Sequence, residues 1–206
     1  MLTEDDFNKG DLWMKKLAVF CGSKDGATPI FRQAAATLGT ALARHDLGLV
    51  YGGSRVGTMG AVADAVLAVN GQAIGVLPHF LQEKEIAHPN LTELHLVESM
   101  HDRKAKMAEL ADGFIILPGG PGTMEEFFEV FTWAQLGLHE KPCGILNIDG
   151  YYDPLVTLFQ QMETQGFLIP EHAAMLLVES DPERLLERFR TYAAPRVKTY
   201  MNKKQT

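Results

Sequence analysis

Residues 17–21, 47–51, 73–77, 114–117 and 143–147 form five short runs that are apolar almost end to end, each closed by glycine, proline or polar residues. Between them the apolar positions recur at helical spacing. A strand with one wet face alternates apolar and polar residues, whereas a continuous apolar run is buried on both faces. Parallel sheets covered by helices on each side have that property. The alternation of such strands with helices therefore predicts one α/β domain, a Rossmann-like doubly wound parallel sheet with helices on both faces.

Helices are expected at 29–44, 58–69, 100–110, 154–165 and 182–192, with another directly after residue 118. Thr28 and Pro29 supply an N-cap and a first helical position, and Asn70-Gly71 a stop. A further strand at 94–97 follows a polar loop containing Glu83, Glu85 and His88. The folded domain is expected to span 15–192. Segments 1–14 and 193–206 are expected to be flexible, the latter carrying Arg196, Lys198, Lys203 and Lys204.

Bulk properties exclude several classes. A formal net charge of −7 leaves no basic excess for nucleic acid. Cys21 and Cys143 are the only cysteines, so neither a disulfide framework nor a structural zinc site is expected, and a reducing cytoplasm is the simplest compartment. No apolar run approaches the roughly 18 residues of a membrane span. The start of the chain is acidic and lacks the features of a signal peptide.

Residues Pro118-Gly119-Gly120-Pro121-Gly122-Thr123-Met124-Glu125-Glu126 lie between an apolar strand and an apolar-periodic helix. A glycine-rich turn of this kind aims backbone N–H groups and a positive dipole end at a phosphate. It also delivers two carboxylates, expected in the first turn of the helix. Nucleotide binding with a built-in acid or base is the implied chemistry.

A second loop, Gly52-Gly53-Ser54-Arg55-Val56-Gly57-Thr58-Met59-Gly60, repeats the pattern of a glycine pair, a spacer and Gly-Thr-Met. Each threonine hydroxyl could cap its helix or bond a phosphate oxygen. Gly52 to Gly57 has Walker A spacing, but Thr58 stands where the lysine belongs, and neither loop is G-x-G-x-x-G. A monophosphate held by backbone amides fits better than a triphosphate or a dinucleotide.

Arg103 and Lys104 project from the apolar side of the 100–110 helix, whose stripe is marked by Met107, Leu110 and Ala111. They sit near its N-terminal end, the wrong pole for cations. Either their stems cover the core while their heads snorkel to water, or an anion sits beside them. Periodicity does not choose between Glu125 and Glu126, since both lie off the stripe of Met124, Phe127, Phe131 and Ala134. The seven histidines show no metal-ligand spacing, and no Gly-x-Ser-x-Gly elbow is present.

The run Met100-His101-Asp102-Arg103-Lys104 followed by Pro118 to Glu126 resembles the "lonely guy" family. These are cytokinin riboside 5′-monophosphate phosphoribohydrolases, long mislabelled lysine decarboxylases. The resemblance covers roughly 17–189, including Phe131-Thr132-Trp133-Ala134-Gln135-Leu136-Gly137, the 147–152 turn and the 51–60 loop. It implies a Rossmann-like fold, a homodimer or larger assembly, and no cofactor or metal. The implied reaction is hydrolysis of the N-glycosidic bond of a nucleoside 5′-monophosphate to free base and ribose 5-phosphate.

Carried over by motif position, the catalytic pair falls on Arg103 and Glu126. Substrate contacts fall on Glu85, Lys104, Gly119, Gly120, Pro121, Gly122, Thr123, Met124, Glu125 and Thr132. A phosphate-side segment falls on Gly52, Gly53, Ser54, Gly57, Thr58, Met59 and Gly60. Pro121 and Lys84 depart from the tyrosine and arginine common in plant members, and both departures bear on base preference. The competing readings are a non-catalytic nucleotide carrier or sensor, a general nucleotide nucleosidase, and a decarboxylase using pyridoxal phosphate on a lysine.

Overall fold

The computed structural model describes residues 14–82 and 86–196. Glu85 and Lys84, residues 1–13, and the basic positions beyond Arg196 lie outside the described residues.

Strands β1 (Lys16–Phe20), β2 (Gly48–Tyr51), β3 (Ala73–Pro78), β4 (Glu93–Val97), β5 (Gly113–Ile116), β6 (Cys143–Leu146) and β7 (Leu176–Glu179) form one sheet. Its order is β4-β3-β2-β1-β5-β6-β7, and every pairing is parallel. The chain winds outward from β1 to β4, then crosses back to lay β5 against the other side of β1. That reversal opens a crevice beyond the carboxyl ends of β1 and β5, where ligands of open α/β sheets bind.

The helices are α1 (Pro29–Arg44), α2 (Gly57–Ala68), α3 (His79–Gln82), α4 (Met100–Leu110), α5 (Pro121–Gln135), α6 (Asp153–Thr164), α7 (Pro170–Ala173) and α8 (Pro182–Arg190). Successive strand residues face opposite ways, which divides the apolar runs between two cores. Leu17, Val19, Leu49 and Ile115 meet Leu38 and Leu42 of α1, Val62 of α2 and Phe189 of α8. Ala18, Phe20, Phe114 and Ile116 meet Met107 of α4, Phe127 and Phe131 of α5 and Phe159 of α6. Both faces are covered, as the unbroken apolar runs require.

Three elements were not expected from the sequence: the one-turn helices α3 and α7, and β7. Strand β7 is a sheet edge whose residues are mostly half-buried. Its run Met175-Leu176-Leu177-Val178 is continuously apolar, but it follows α7 with no glycine or proline between them and reads as readily as helix. Met14, expected within a flexible start, is buried against the first core. Thr28 and Pro29 stand where expected at the head of α1, but the Thr28 side chain makes no capping hydrogen bond.

Candidate active site

Glycine placement shapes the crevice. At Gly52, beyond β2, a Cβ would fall 1.7 Å from Nη2 of Arg103. The missing side chain is thus the socket that receives the guanidinium. Arg103 is buried at 8% exposure, and its Nε donates to the carbonyl of Val76 at 3.1 Å. The cation is not snorkelling. From α4 it faces α5, and its Nη1 lies 3.7 Å from Oε1 of Glu126. That distance is ion pairing without a direct hydrogen bond.

The two glutamates that periodicity left equivalent are separated by the packing of α4 on α5. Glu126 is buried at 9% exposure, whereas the Glu125 side chain is 57% exposed. Burial pushes the Glu126 carboxyl up to about 7, against the opposing pull of Arg103. An acid poised near neutrality inside a cleft suits general acid–base work. Neither glutamate lies in the first turn of its helix: α5 begins at Pro121 and that turn holds no acid. Completing the helix dipole is therefore not their main role, since that effect fades beyond one turn.

The two glycine loops, so similar in sequence, differ in what they offer a ligand. The first is knitted into the protein. Met59 N–H donates to Gly22 O and Arg55 N–H to Ile86 O, while Val56 N–H donates to Ser54 Oγ. The Thr58 hydroxyl accepts from Gly22 N–H and donates to Gly22 O, both at 3.0 Å. It neither caps α2 nor remains free for a phosphate. Gly53 and Gly57 have positive φ, and a Cβ on Gly57 would strike the backbone of Ser23 and Lys24 at 2.4 Å. This loop therefore clamps the β1 end and seats Arg103.

The second loop is open. A Cβ at Gly120 or Gly122 would meet nothing within 4 Å, and neither residue has positive φ. Gly120 is the N-cap of α5 and makes no side-chain cap, so the first N–H groups of the helix are left without intrahelical partners. Gly119 instead sits tightly against the Thr123 side chain, where a Cβ would lie 2.2 Å from Oγ1. Two tyrosines hold the loop from behind. Tyr152 donates its hydroxyl to Leu117 O at 2.8 Å and Tyr151 to Gly119 O at 2.7 Å. Their turn is braced by Asn147, which accepts from Tyr152 N–H and donates to Asp153.

A cleft of about 560 Å³ runs between these parts. Of the expected site residues it gathers Arg103 and Glu126, then Gly120, Pro121, Gly122, Thr123 and Glu125, then Gly52, Ser54 and Met59. One wall is apolar, formed by Val56, Leu77, Leu81, Ile86, Met100 and Met107. Gly53, Gly57, Thr58, Gly60, Gly119 and Met124 lie behind this lining. Thr132, exposed on α5, stands apart from it. Lys104 is buried at 3% exposure, but its ammonium faces Glu125 and Glu129.

Cys21, Gly22, Ser23 and Lys24 also line the cleft, and sequence reasoning did not single them out. Their only signal was position, since they end the strand at the sheet's reversal. Burial pushes the Cys21 thiol up to about 12, which removes it as a nucleophile. A larger cavity of about 810 Å³ lies at the opposite, amino-terminal ends of the strands, around Lys16, His45 and Gln72. It is remote from both glycine loops. Among the described residues no group of three or more His, Cys, Asp or Glu is arranged to hold a metal ion.

A family model described as "Possible lysine decarboxylase" matches residues 59–189. A cytokinin riboside 5′-monophosphate phosphoribohydrolase of Rhodococcoides fascians is 48% identical over 86% of this chain and 90% of its own. One from Arabidopsis thaliana is 43% identical over 86% of this chain and 82% of its own. The chain belongs to the lonely guy family. The lonely guy match of the family model, residues 59–189, spans both the Arg103-Lys104 pair and the glycine-rich turn that faces it. By fold alone the chain is also similar to a molybdenum cofactor binding protein of Rippkaea orientalis, with TM-score 0.67, 20% identity and coverage of 87% of this chain and 98% of that one.

Proposed function

We propose that this chain hydrolyses the N-glycosidic bond of N6-substituted adenosine 5′-monophosphates, releasing free base and ribose 5-phosphate. The observation that carries the reading is the meeting of Arg103 and Glu126 beside the open N-terminus of α5, in a chain whose relatives bear the phosphoribohydrolase name. Phosphate oxygens lie at the N–H groups of Gly122 and Thr123, the first that α5 offers after Pro121, where donors and dipole favour negative charge. The ribose lies over Glu126. Departure of the base leaves oxocarbenium-like charge on the sugar, which the Glu126 carboxylate stabilises while it binds ribose hydroxyls or activates water. Arg103 orients the carboxylate. The apolar wall from Val56 to Met107 suits a base carrying an apolar substituent.

The decarboxylase reading needs a neutral amine for a Schiff base. Lys104 is displaced in the opposite sense: burial pulls its pKa down, but contacts with Glu125 and Glu129 outweigh that and raise it. Lys24, the lysine lining the cleft, is exposed at the β1 loop. A carrier or sensor would not need an acid poised near neutrality, and a general nucleosidase would not need the apolar wall. We further place the protein in the cytoplasm as a homodimer or larger assembly. Support comes from free, buried Cys21 and Cys143, and from exposed apolar side chains at Leu158, Phe167 and Ile169. No described helix is long and apolar enough to cross a membrane.

The test is release of free base from matched nucleotides and nucleosides. A nucleoside forfeits charge-assisted hydrogen bonds worth roughly 1.5–3 kcal/mol each, so its kcat/KM should fall at least about 10²-fold. Equal values for the two would move the protein toward nucleoside hydrolases.

A further inference from the structure

Three carboxylates crowd one side of α5 near the cleft: Glu125, Glu126 and Glu129. Glu125 and Glu129 are four residues apart, a like-charge spacing that disfavours a helix, and Glu126 lies between them. Two cations answer from α4. Arg103 faces Glu126 at 3.7 Å. Lys104, its side chain 3% exposed, places Nζ against Oε1 of Glu125 and 3.1 Å from Oε2 of Glu129.

We propose that Lys104 is a positioning residue rather than a substrate contact, its ammonium neutralising the two carboxylates that neighbour Glu126 on α5 so that Arg103 is left to Glu126 alone. Two features support this. The Lys104 head is directed between the two glutamates, and the residue is absent from the cleft lining that holds Arg103 and Glu126. A lysine is also suited to the task, because its compact charged head can stand close to both carboxylates at once. The remaining neighbour at the cleft floor is the neutral Cys21 thiol. Burial is the largest influence on Glu126, raising its pKa, and the charges that adjust it are Arg103 and Lys104 on α4 against Glu125 and Glu129 on α5.

Removal of Lys104 exposes Glu126 to two uncompensated negative charges and offers Arg103 two competing partners. In Lys104→Met the midpoint of Glu126 should move up by about one pH unit. Lys104→Arg should restore it to within a few tenths. Glu129→Gln removes a negative neighbour and should move the midpoint down, the opposite sign, from a side chain outside the cleft lining.

The inference rests on reading Glu126 as the reacting carboxylate, but its test does not need turnover. Glu126 is titrated in the free protein by carboxyl 13C NMR, with Glu126→Gln assigning its resonance. The pH dependence of kcat/KM for adenosine monophosphate is followed in parallel. Midpoints shifted up in Lys104→Met and down in Glu129→Gln support the positioning role even if no nucleotide is cleaved. An unmoved midpoint in a folded Lys104→Met, with only KM raised, would make Lys104 a direct substrate contact and overturn the proposal. If Lys104→Met does not fold, an unmoved or upward midpoint in Glu129→Gln overturns it.

Discussion

Nη1 of Arg103 stands 3.7 Å from Oε1 of Glu126, although the whole of β5 separates their helices in sequence. Both side chains are nearly buried, so their attraction acts in a low-dielectric setting. The gap exceeds a hydrogen bond and leaves the carboxylate oxygens available to a sugar.

Glu126→Gln and Arg103→Ala should each lower kcat/KM for adenosine monophosphate by about 10²–10⁴-fold. Circular dichroism should be unchanged. Glu125→Gln, on an exposed side chain, should be milder. A Glu126→Gln protein with full activity would remove Glu126 from the chemistry.

Activity should fall as pH drops through about 7, because the ionised Glu126 carboxylate is the working form and its midpoint is raised to that value. Stability should show the reverse trend. A carboxyl whose folded pKa is raised stabilises the fold fully below its ordinary value, and that contribution is lost as pH rises through 7. Relative to wild type, Glu126→Gln should therefore gain about 2 kcal/mol between pH 5 and pH 8. Urea melts of both proteins at the two pH values measure this difference. No change in the gap would mean that Glu126 titrates normally.

Gly52→Ala should impair catalysis without unfolding the protein. Its φ is not positive, so alanine is allowed there. The new Cβ meets the far end of the Arg103 side chain, which must swing away and lose its bond to Val76. A loss of roughly 10²-fold in kcat, matching one mispositioned electrostatic group, with a near-normal melting temperature is expected. Wild-type kinetics would show that Arg103 does not need its socket.

Gly122→Val should raise KM sharply and leave stability nearly intact. The position has ordinary helical φ and empty space around its Cβ, so neither strain nor a clash is introduced. The methyl groups intrude only on a phosphate. Isothermal titration with adenosine monophosphate measures the effect, and unchanged affinity would place the phosphate elsewhere.

The inner strands were legible because each is buried on both faces, α1 because Pro29 marks its first turn, and α4 because Met107, Leu110 and Ala111 define an apolar stripe. Buried Arg103 and Lys104 could be placed from the stripe that Met107 defines. Edge strand β7 was not legible because its short apolar run, Met175-Leu176-Leu177-Val178, follows the one-turn helix α7 without a turn signal between them and is ambiguous between strand and helix. Glu125 and Glu126 could not be separated because α4, not their own helix, buries one and exposes the other. Thr58 was beyond local reasoning too: its partner Gly22 is 36 residues away. The lesson of the two glycine loops is similar. Near-identical spacing gave one loop that is tied inward and one that opens onto the cleft, and the difference lies in where distant carbonyls fall.

The phenols of Tyr151 and Tyr152 occupy the carbonyls of Gly119 and Leu117, and Met124 N–H occupies that of Gly120. With these acceptors engaged, the turn meets a visitor mainly as a source of hydrogens. It works as a rectifier of polarity, favouring anionic groups over cations, with the sign set by tyrosines that stand outside the cleft lining.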